Sequence, residues 1–387
     1  MSTDHPTDDK VKNEGNKVGR NIAFVVGAIF LLWLGNRLIL GDPLLRQMRD
    51  AELAMWQGHY PEALARYDRI IKDSPNWYWP YSGRGETYRR MGDLDRALAE
   101  LNEAVRLKPE GDEEPYYRRC QVYVAKKDAG NALTDCETSL RIKPDQTNVL
   151  LVMAKVLFER GDLDRAADAY GAVIRQGPGL ADPFFYRGQI LLFHKNQPEQ
   201  AAQDLAQAAK IAFEYREIGA VLLEQAGQTP PDSDLMASDH PFMPDGIYTI
   251  IWTHIARARA KQDDSQELAD HLKELGKPIW KDLVFKKFEN ITNEVIEKSL
   301  APWPAPIFGL FVGKTTPDSV RLAAESSPDP DIRNRRVCDI NFYLAEYNLA
   351  KGETANIRQL LTAAAEECPP SAREAAFAKE EIKRLGF

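Results

Sequence analysis

Four cysteines, six histidines and a set of arginine- and aromatic-bearing positions are what this chain offers for chemistry. Cys120, Cys136, Cys338 and Cys368 include no C-x-x-C pair, so a zinc ribbon and a thioredoxin-like motif are excluded by spacing. The histidines, His5, His59, His194, His240, His254 and His271, are scattered. His254 falls beside Trp252 in an aromatic helical pattern, the setting of a packed or capped histidine rather than of a catalytic one. No glycine-rich phosphate loop, no G-x-S-x-G and no H-E-x-x-H occurs. The carboxylates fall in turns and on solvated faces. The chain reads as a non-enzyme, with no cofactor and no metal called for.

The elements that position these residues announce themselves by repetition. Ala63, Ala97, Ala132, Ala166 and Ala201 recur every 34 or 35 residues, each followed four residues later by Tyr67, Leu101, Cys136, Tyr170 or Leu205. Pro75, Pro109, Pro144 and Pro178 close the first four copies, and the string Gly-Asp-Leu-Asp-Arg-Ala occurs at 92–97 and 161–166. This period with an A-x3-F/Y…P signature resembles the tetratricopeptide repeat. The resemblance implies an all-α fold, a superhelix of helix-turn-helix pairs that binds other proteins and rarely does chemistry.

The repeats run 44–77, 78–111, 113–146, 147–180 and 181–215. In each, a small residue of the first helix (Ala51, Gly85, Cys120, Ala154, Gly188) faces the alanine of the second, so the two helices approach closely. Gly58, Gly92 and Gly161 supply the positive φ that ends a first helix. The third repeat has Lys127 instead, and the fifth carries an insertion near Asn196.

In this family the inner, concave surface is lined by first-helix residues. The register assigns it Trp79, Ser82, Glu86, Arg89, Arg90, Tyr117, Arg118, Gln121, Lys155, Phe158, Glu159, Phe185, Gln189 and Phe193. Aromatics mixed with arginine are the composition of protein-recognition hot spots. The competing reading is that Trp79, Tyr117 and Phe185 pack between neighbouring repeats. Where relatives clamp a terminal carboxylate with Asn and Lys/Arg, this chain has Glu52, Glu86, Gln121 and Lys155. The two glutamates would repel such a group.

Residues 1–20 are polar and read as a disordered tail. Residues 21–40 read as a transmembrane anchor: Ile22 to Leu34 carries no charge, and the stretch through Leu40 makes a helix of roughly 28 Å. Lys10, Lys12, Lys17 and Arg20 precede it, while Arg37, Arg46 and Arg49 lie at or after its end. The bias favours a cytoplasmic N-terminus, leaving the repeats outside the cytoplasm, which in a Gram-negative bacterium is the periplasm. The opposite topology, with cytoplasmic repeats serving an assembly or quality-control complex, is the alternative. After the five repeats (44–226), residues 227–246 read as a linker rich in Pro, Asp and Ser. Residues 247–387 read as a degenerate region of the same kind, with hairpins from Tyr248 and Cys338, an amphipathic helix at 278–300, a helix start at Thr316-Pro317 and a capping helix from Ser371 to Leu385. The formal charge of −8 argues against nucleic acid.

The segment Trp303 to Gly313, then Cys338, Phe342, Tyr343, Leu344, Ala345, Tyr347, Gly352 and Pro369, resembles bacterial envelope proteins of the NlpI-like kind. That resemblance implies a dimerising scaffold that docks envelope enzymes. No lipobox cysteine follows the apolar run, so outer-membrane lipidation is not implied. The competing assignments are a hydrolase or transferase in the last 160 or so residues, and pure self-assembly into a homodimer. Cys338 opens the first helix of its hairpin and Cys368 ends the second, so a bridge between them is expected. Cys120 and Cys136 occupy core positions and are expected as buried free thiols.

Overall fold

The computed structural model describes residues 43–107, 111–225, 246–276, 304–369 and 372–387. The expected tail (1–20), the apolar segment (21–40), all but the last residue of the 227–246 linker, and the helix expected at 278–300 lie outside the described residues. Among the described residues every regular element is helical. None of those helices is long and apolar enough to cross a membrane. The chain divides into two compact units between Pro144 and Asp145.

The first unit is three hairpins: α1 (Pro43–Trp56) with α2 (Tyr60–Asp73), α3 (Tyr78–Arg90) with α4 (Leu94–Leu107), and α5 (Glu114–Ala125) with α6 (Ala129–Ile142). Gly58 and Gly92 end α1 and α3 at φ +78° and +81°. Lys127 adopts φ +59° at the same point of the third repeat, a strained choice for a residue with a Cβ. Asp128 then caps α6 by accepting from the Asn131 backbone N–H.

The small-residue crossing is a steric requirement. A Cβ on Gly85 would lie 2.8 Å from Leu101 Cγ and 3.2 Å from the Ala97 carbonyl oxygen. Alanine there would gain about 1 kcal/mol of helix propensity but incur overpacking of ~1–3 kcal/mol. We expect Gly85→Ala to lose up to about 2 kcal/mol in urea unfolding. Gly130→Ala meets nothing nearer than 3.7 Å and should gain ~0.5 kcal/mol. Equal effects at the two glycines would refute the steric account.

Cys120 and Cys136 are not free thiols: they form a disulfide across α5 and α6, with Cα atoms 5.6 Å apart. The expectation failed because both replace the small residues at a crossing, where close approach brings the Cα atoms into bridging range.

The second unit begins with α7 (Thr147–Arg160) and α8 (Leu163–Gln176). Next, α9 (Ala181–Gln189) runs into a π-helical turn, Ile190–His194, and is followed by α10 (Pro198–Gln225). A π turn takes up an extra residue without breaking the helix, which is how the fifth repeat absorbs its insertion. Gly188 makes the same close approach as Gly85, its absent Cβ 2.7 Å from Leu205 Cγ.

The remaining helices are α11 (Gly246–Arg259), α12 (Ser265–Gly276), α13 (Ala305–Phe311), α14 (Pro317–Glu325), α15 (Pro330–Lys351), α16 (Ile357–Glu366) and α17 (Arg373–Leu385). Thr316 and Ser319 close a capping box at the start of α14, and Gly352 ends α15 at φ +73°.

Cys338 and Cys368 are bridged, joining the middle of α15 to the end of α16, with Cα atoms 5.2 Å apart. The bridges span sequence separations of 16 and 30 residues. Each should contribute roughly 3 kcal/mol through the entropy of the unfolded chain. Scanning calorimetry with a phosphine reductant should show a lower melting temperature, and Cys338→Ala with Cys368→Ala should reproduce part of the fall. Unchanged melting on full reduction would contradict this.

The core of the second unit is aromatic. Phe193 of the π turn packs against Trp252 (centroids 4.9 Å apart), Phe342 (5.8 Å) and Phe377 (4.6 Å). Phe377 belongs to α17, so the closing helix turns back onto the fifth repeat. Its attachment is also ionic: Arg259 of α11 donates to Glu346 of α15 at 2.6 Å and to Glu381 of α17 at 2.8 Å, all three side chains being buried or nearly so.

Candidate functional site

On the first unit, α1, α3 and α5 contribute the face that the register assigned to recognition. Glu86 of α3 is its hub. Arg89 donates to both Glu86 oxygens at 2.7 and 2.8 Å, and Arg90 to one at 2.7 Å. Burial alone would raise the Glu86 carboxyl; the arginines outweigh it and hold it below the ordinary carboxylate range. Glu114 of α5 accepts from the buried Ser82 hydroxyl at 2.6 Å and pairs with Arg118. Arg118 also donates to the Ser82 carbonyl at 3.2 Å, and burial lowers the guanidinium's affinity for its proton. Gln121 donates to the Tyr117 hydroxyl at 2.9 Å.

Two tryptophans border this set. Trp79 is 38% exposed, with its ring 6.1 Å from that of Trp77. Trp56 is 67% exposed, and the Arg90 guanidinium sits 3.9 Å from its ring centroid. Cation–π contact of this kind holds both groups in place while leaving the ring open to solvent. Trp56 went unassigned from the sequence. The signal was present: Trp56 stands five residues after Ala51, as Arg90 stands five after Gly85.

The second-unit residues behave differently. Lys155 is exposed and Phe158 half-buried on α7, with the Phe158 ring 5.0 Å from Tyr186. Phe185 and Gln189 are buried, Gln189 completely, and do not line an open face. The cause is α17: Arg373 lies 5.6 Å over the Phe185 ring and Phe377 stacks on Phe193. Gln189 lies one turn from each, and its amide nitrogen and oxygen have no partner among the described residues. Helix α17 therefore fills the side of the fifth repeat that the sequence had left for a ligand.

The groups that would suit an enzyme are also enclosed. Asp339 of α15 and Glu374 of α17 are both 7% exposed; they accept from Tyr248 at 3.3 Å and Tyr343 at 3.4 Å respectively. Burial first, then the Glu374 charge, pushes the Asp339 carboxyl up to about 8. Both lie on packed helices, α15 and α17. Among the described residues no group of His, Cys, Asp or Glu is placed to hold a metal ion.

The tetratricopeptide repeat family model matches residues 49–112 and 151–217, the spans of the paired helices just described. The chain carries tetratricopeptide repeats. Human tetratricopeptide repeat protein 13 is 24% identical over 165 residues, 43% of this chain and 17% of its own length. A DnaJ homolog subfamily C member 7 homolog from Schizosaccharomyces pombe is 25% identical over 171 residues, 39% of this chain and 35% of its own length. The chain thus spans well under half of either relative. Among solved structures, YrrB, described as a TPR protein with an unusual peptide-binding site, is 24% identical, with 46% of this chain and 91% of that one covered and a TM-score of 0.38. A MamA protein is 19% identical, with 44% and 92% covered and a TM-score of 0.39. Beyond residue 217 the tetratricopeptide model has no match, although helical hairpins continue.

Proposed function

We propose that this tetratricopeptide protein is a membrane-anchored scaffold of the bacterial cell envelope that docks other polypeptides on the inner face of its first unit. The observation that carries the reading is the exposed Trp56 ring under Arg90, with exposed Trp79 two turns before Glu86 on α3. Exposed aromatics braced by arginine are the side chains on which binding energy concentrates. The anchor is the apolar stretch 21–40. Two disulfides support a compartment that keeps thiols oxidised, outside the cytoplasm. The NlpI-like pattern from Trp303 to Pro369 suits an envelope role.

A photo-crosslinking residue at position 79 of the full chain, in envelopes of the host, tests the docking. Discrete adducts at 79 but not at exposed position 379 are expected. Adducts at neither would remove the reading. A reporter enzyme fused after Phe387 tests the compartment. Activity confined to the cytoplasm would hand the chain to the alternative, an inner-membrane assembly or quality-control factor.

A further inference from the structure

We propose that the open edge of α1, the stripe Arg46, Arg49 and Leu53, lies on the headgroup layer of a membrane that contains anionic phospholipid. The proposal rests on reading residues 21–40 as an anchor, and adds to it a second, interfacial contact made by the folded repeats.

The stripe departs from every other repeat. Leu53 stands two residues after the small crossing residue Ala51. The same position holds Thr87, Val122, Val156 and Ile190 in the other four repeats, each 4% exposed or less, whereas Leu53 is 55% exposed. Arg46, five residues before Ala51, is exposed where α3 and α5 bury Pro80 and Pro115. Arg49 is exposed where α3 buries Gly83. Within the first unit the cause is visible: this side of a first helix packs on the hairpin before it. Gly83 lies against the Tyr67 ring of α2, and Val122 clusters with Ala97 and Leu101 of α4. Among the described residues no hairpin precedes α1. Spacings of three and four residues put Arg46, Arg49 and Leu53 on one face of the helix. Exposed Trp56, three residues further on, continues that face to the border of the inner surface, where Arg90 meets it.

Charge and reach both identify what covers this edge. A further hairpin, seated as α2 sits on α3, would bury Arg46 where it buries Pro80, and a guanidinium buried without a counter-charge is costly. Arg49 reaches its neighbour Asp50 at 3.5 Å with both side chains open to solvent, a pair too exposed to hold it. Lipid phosphate oxygens accept from both arginines at the surface, with no need to enclose them. Leu40 ends the apolar run and Pro43 opens α1, so the chain between them spans about 10 Å when fully extended. A run that crosses a bilayer therefore delivers the start of α1 into the headgroup layer. The stripe is basic at that tethered end and apolar beyond it. Leu53 then meets the acyl boundary, and Trp56 has the amphipathic ring that suits the same depth.

The test uses the full chain in nanodiscs of equimolar phosphatidylethanolamine and phosphatidylglycerol. A photo-crosslinking residue is placed at position 30, 53 or 69, and adducts are identified by mass spectrometry. Position 30 lies in the apolar run; exposed Arg69, on α2, belongs to the same hairpin as Leu53. Lipid adducts at 53 should exceed those at 69 by about fivefold or more, and Arg46→Glu with Arg49→Glu should cut them about fivefold. Arg46→Lys with Arg49→Lys should keep them. Melting followed by circular dichroism checks that the variants fold. Lipid adducts at 30 with no excess at 53, or an excess that survives the charge reversal, overturn the proposal and leave the anchor standing. Lipid adducts at neither 30 nor 53 overturn both. A crosslinked dimer through 53 assigns the edge to a second copy, and an adduct to residues 1–42 assigns it to the chain's own beginning; either overturns the proposal.

Discussion

Replacing Arg259 by alanine should destabilise the second unit by about 3–5 kcal/mol, the usual cost of stranding buried charge. Glu346 and Glu381 are almost wholly enclosed, and Arg259 reaches both. Glu381 keeps Arg384 at 2.6 Å, whereas among the described residues Glu346 keeps no direct ion pair and already has one oxygen without a partner. Burial raises the Glu346 carboxyl, and Arg259 is the main group opposing that rise. The guanidinium also lies 4.7 Å over the Phe193 ring, so packing is lost with the charge. The variant's deficit should shrink in urea unfolding near pH 4, where Glu346 can take up a proton. Arg259→Met with Glu346→Leu should recover most of the loss, since a buried pair replaced by apolar groups of similar volume is often neutral or stabilising. A deficit under 1 kcal/mol at pH 7 would mean that the network does not hold α17 in place.

The repeats were legible because their determinants are local. A glycine that must adopt positive φ, an alanine where two backbones meet and a proline that stops a helix each leave a mark at a fixed offset. Ala63, Ala97, Ala132, Ala166 and Ala201 are all fully buried, as a crossing requires. The bridge at Cys338 and Cys368 was expected from the hairpin that holds both, although α15 starts at Pro330, eight residues before Cys338, so Cys338 does not open its helix.

What was not legible depends on contacts between distant segments. The periodicity of α17 states that it has an apolar face but not what covers it. The amphipathic pattern suits a terminal cap and a helix returned onto Phe185 and Phe193 equally well. Phe185 and Gln189 were therefore assigned to a groove that Arg373 and Phe377 occupy. Among the described residues of the first unit no such segment intervenes. There Glu86 gathers Arg89 and Arg90, while Glu86 and Ser82 of the assigned set are themselves buried. Trp56 follows from the same register, which already set Glu52 in line with Glu86, once it is carried one turn further along α1.

Asp339→Asn should stabilise the second unit at neutral pH and do nothing at pH 4. Asp339 titrates at about 8 in the folded chain, against an ordinary value of 3.8. Burial is the larger cause; the Glu374 charge adds to it, and Arg335, Arg373 and the Tyr248 hydroxyl oppose it. Between roughly pH 4 and pH 8 the unfolded chain thus binds fewer protons at this residue than the folded one. The acid's contribution is fully present below pH 4, falls as pH rises through that window and levels off above pH 8. At pH 7 the ceiling on the loss is about 4 kcal/mol. Asparagine carries no charge in either state, and its carbonyl can still accept from Tyr248. Urea unfolding at pH 4, 5.5, 7 and 8 should show a gain that grows with pH toward that ceiling. A gain of the same size at every pH would trace the effect to packing instead. Such a gain would also bear on the enzyme alternative, because a raised carboxyl is one mark of an acid–base site. Here the elevation follows from burial between packed helices and from the Glu374 charge, and the substitution separates that cost from any chemistry.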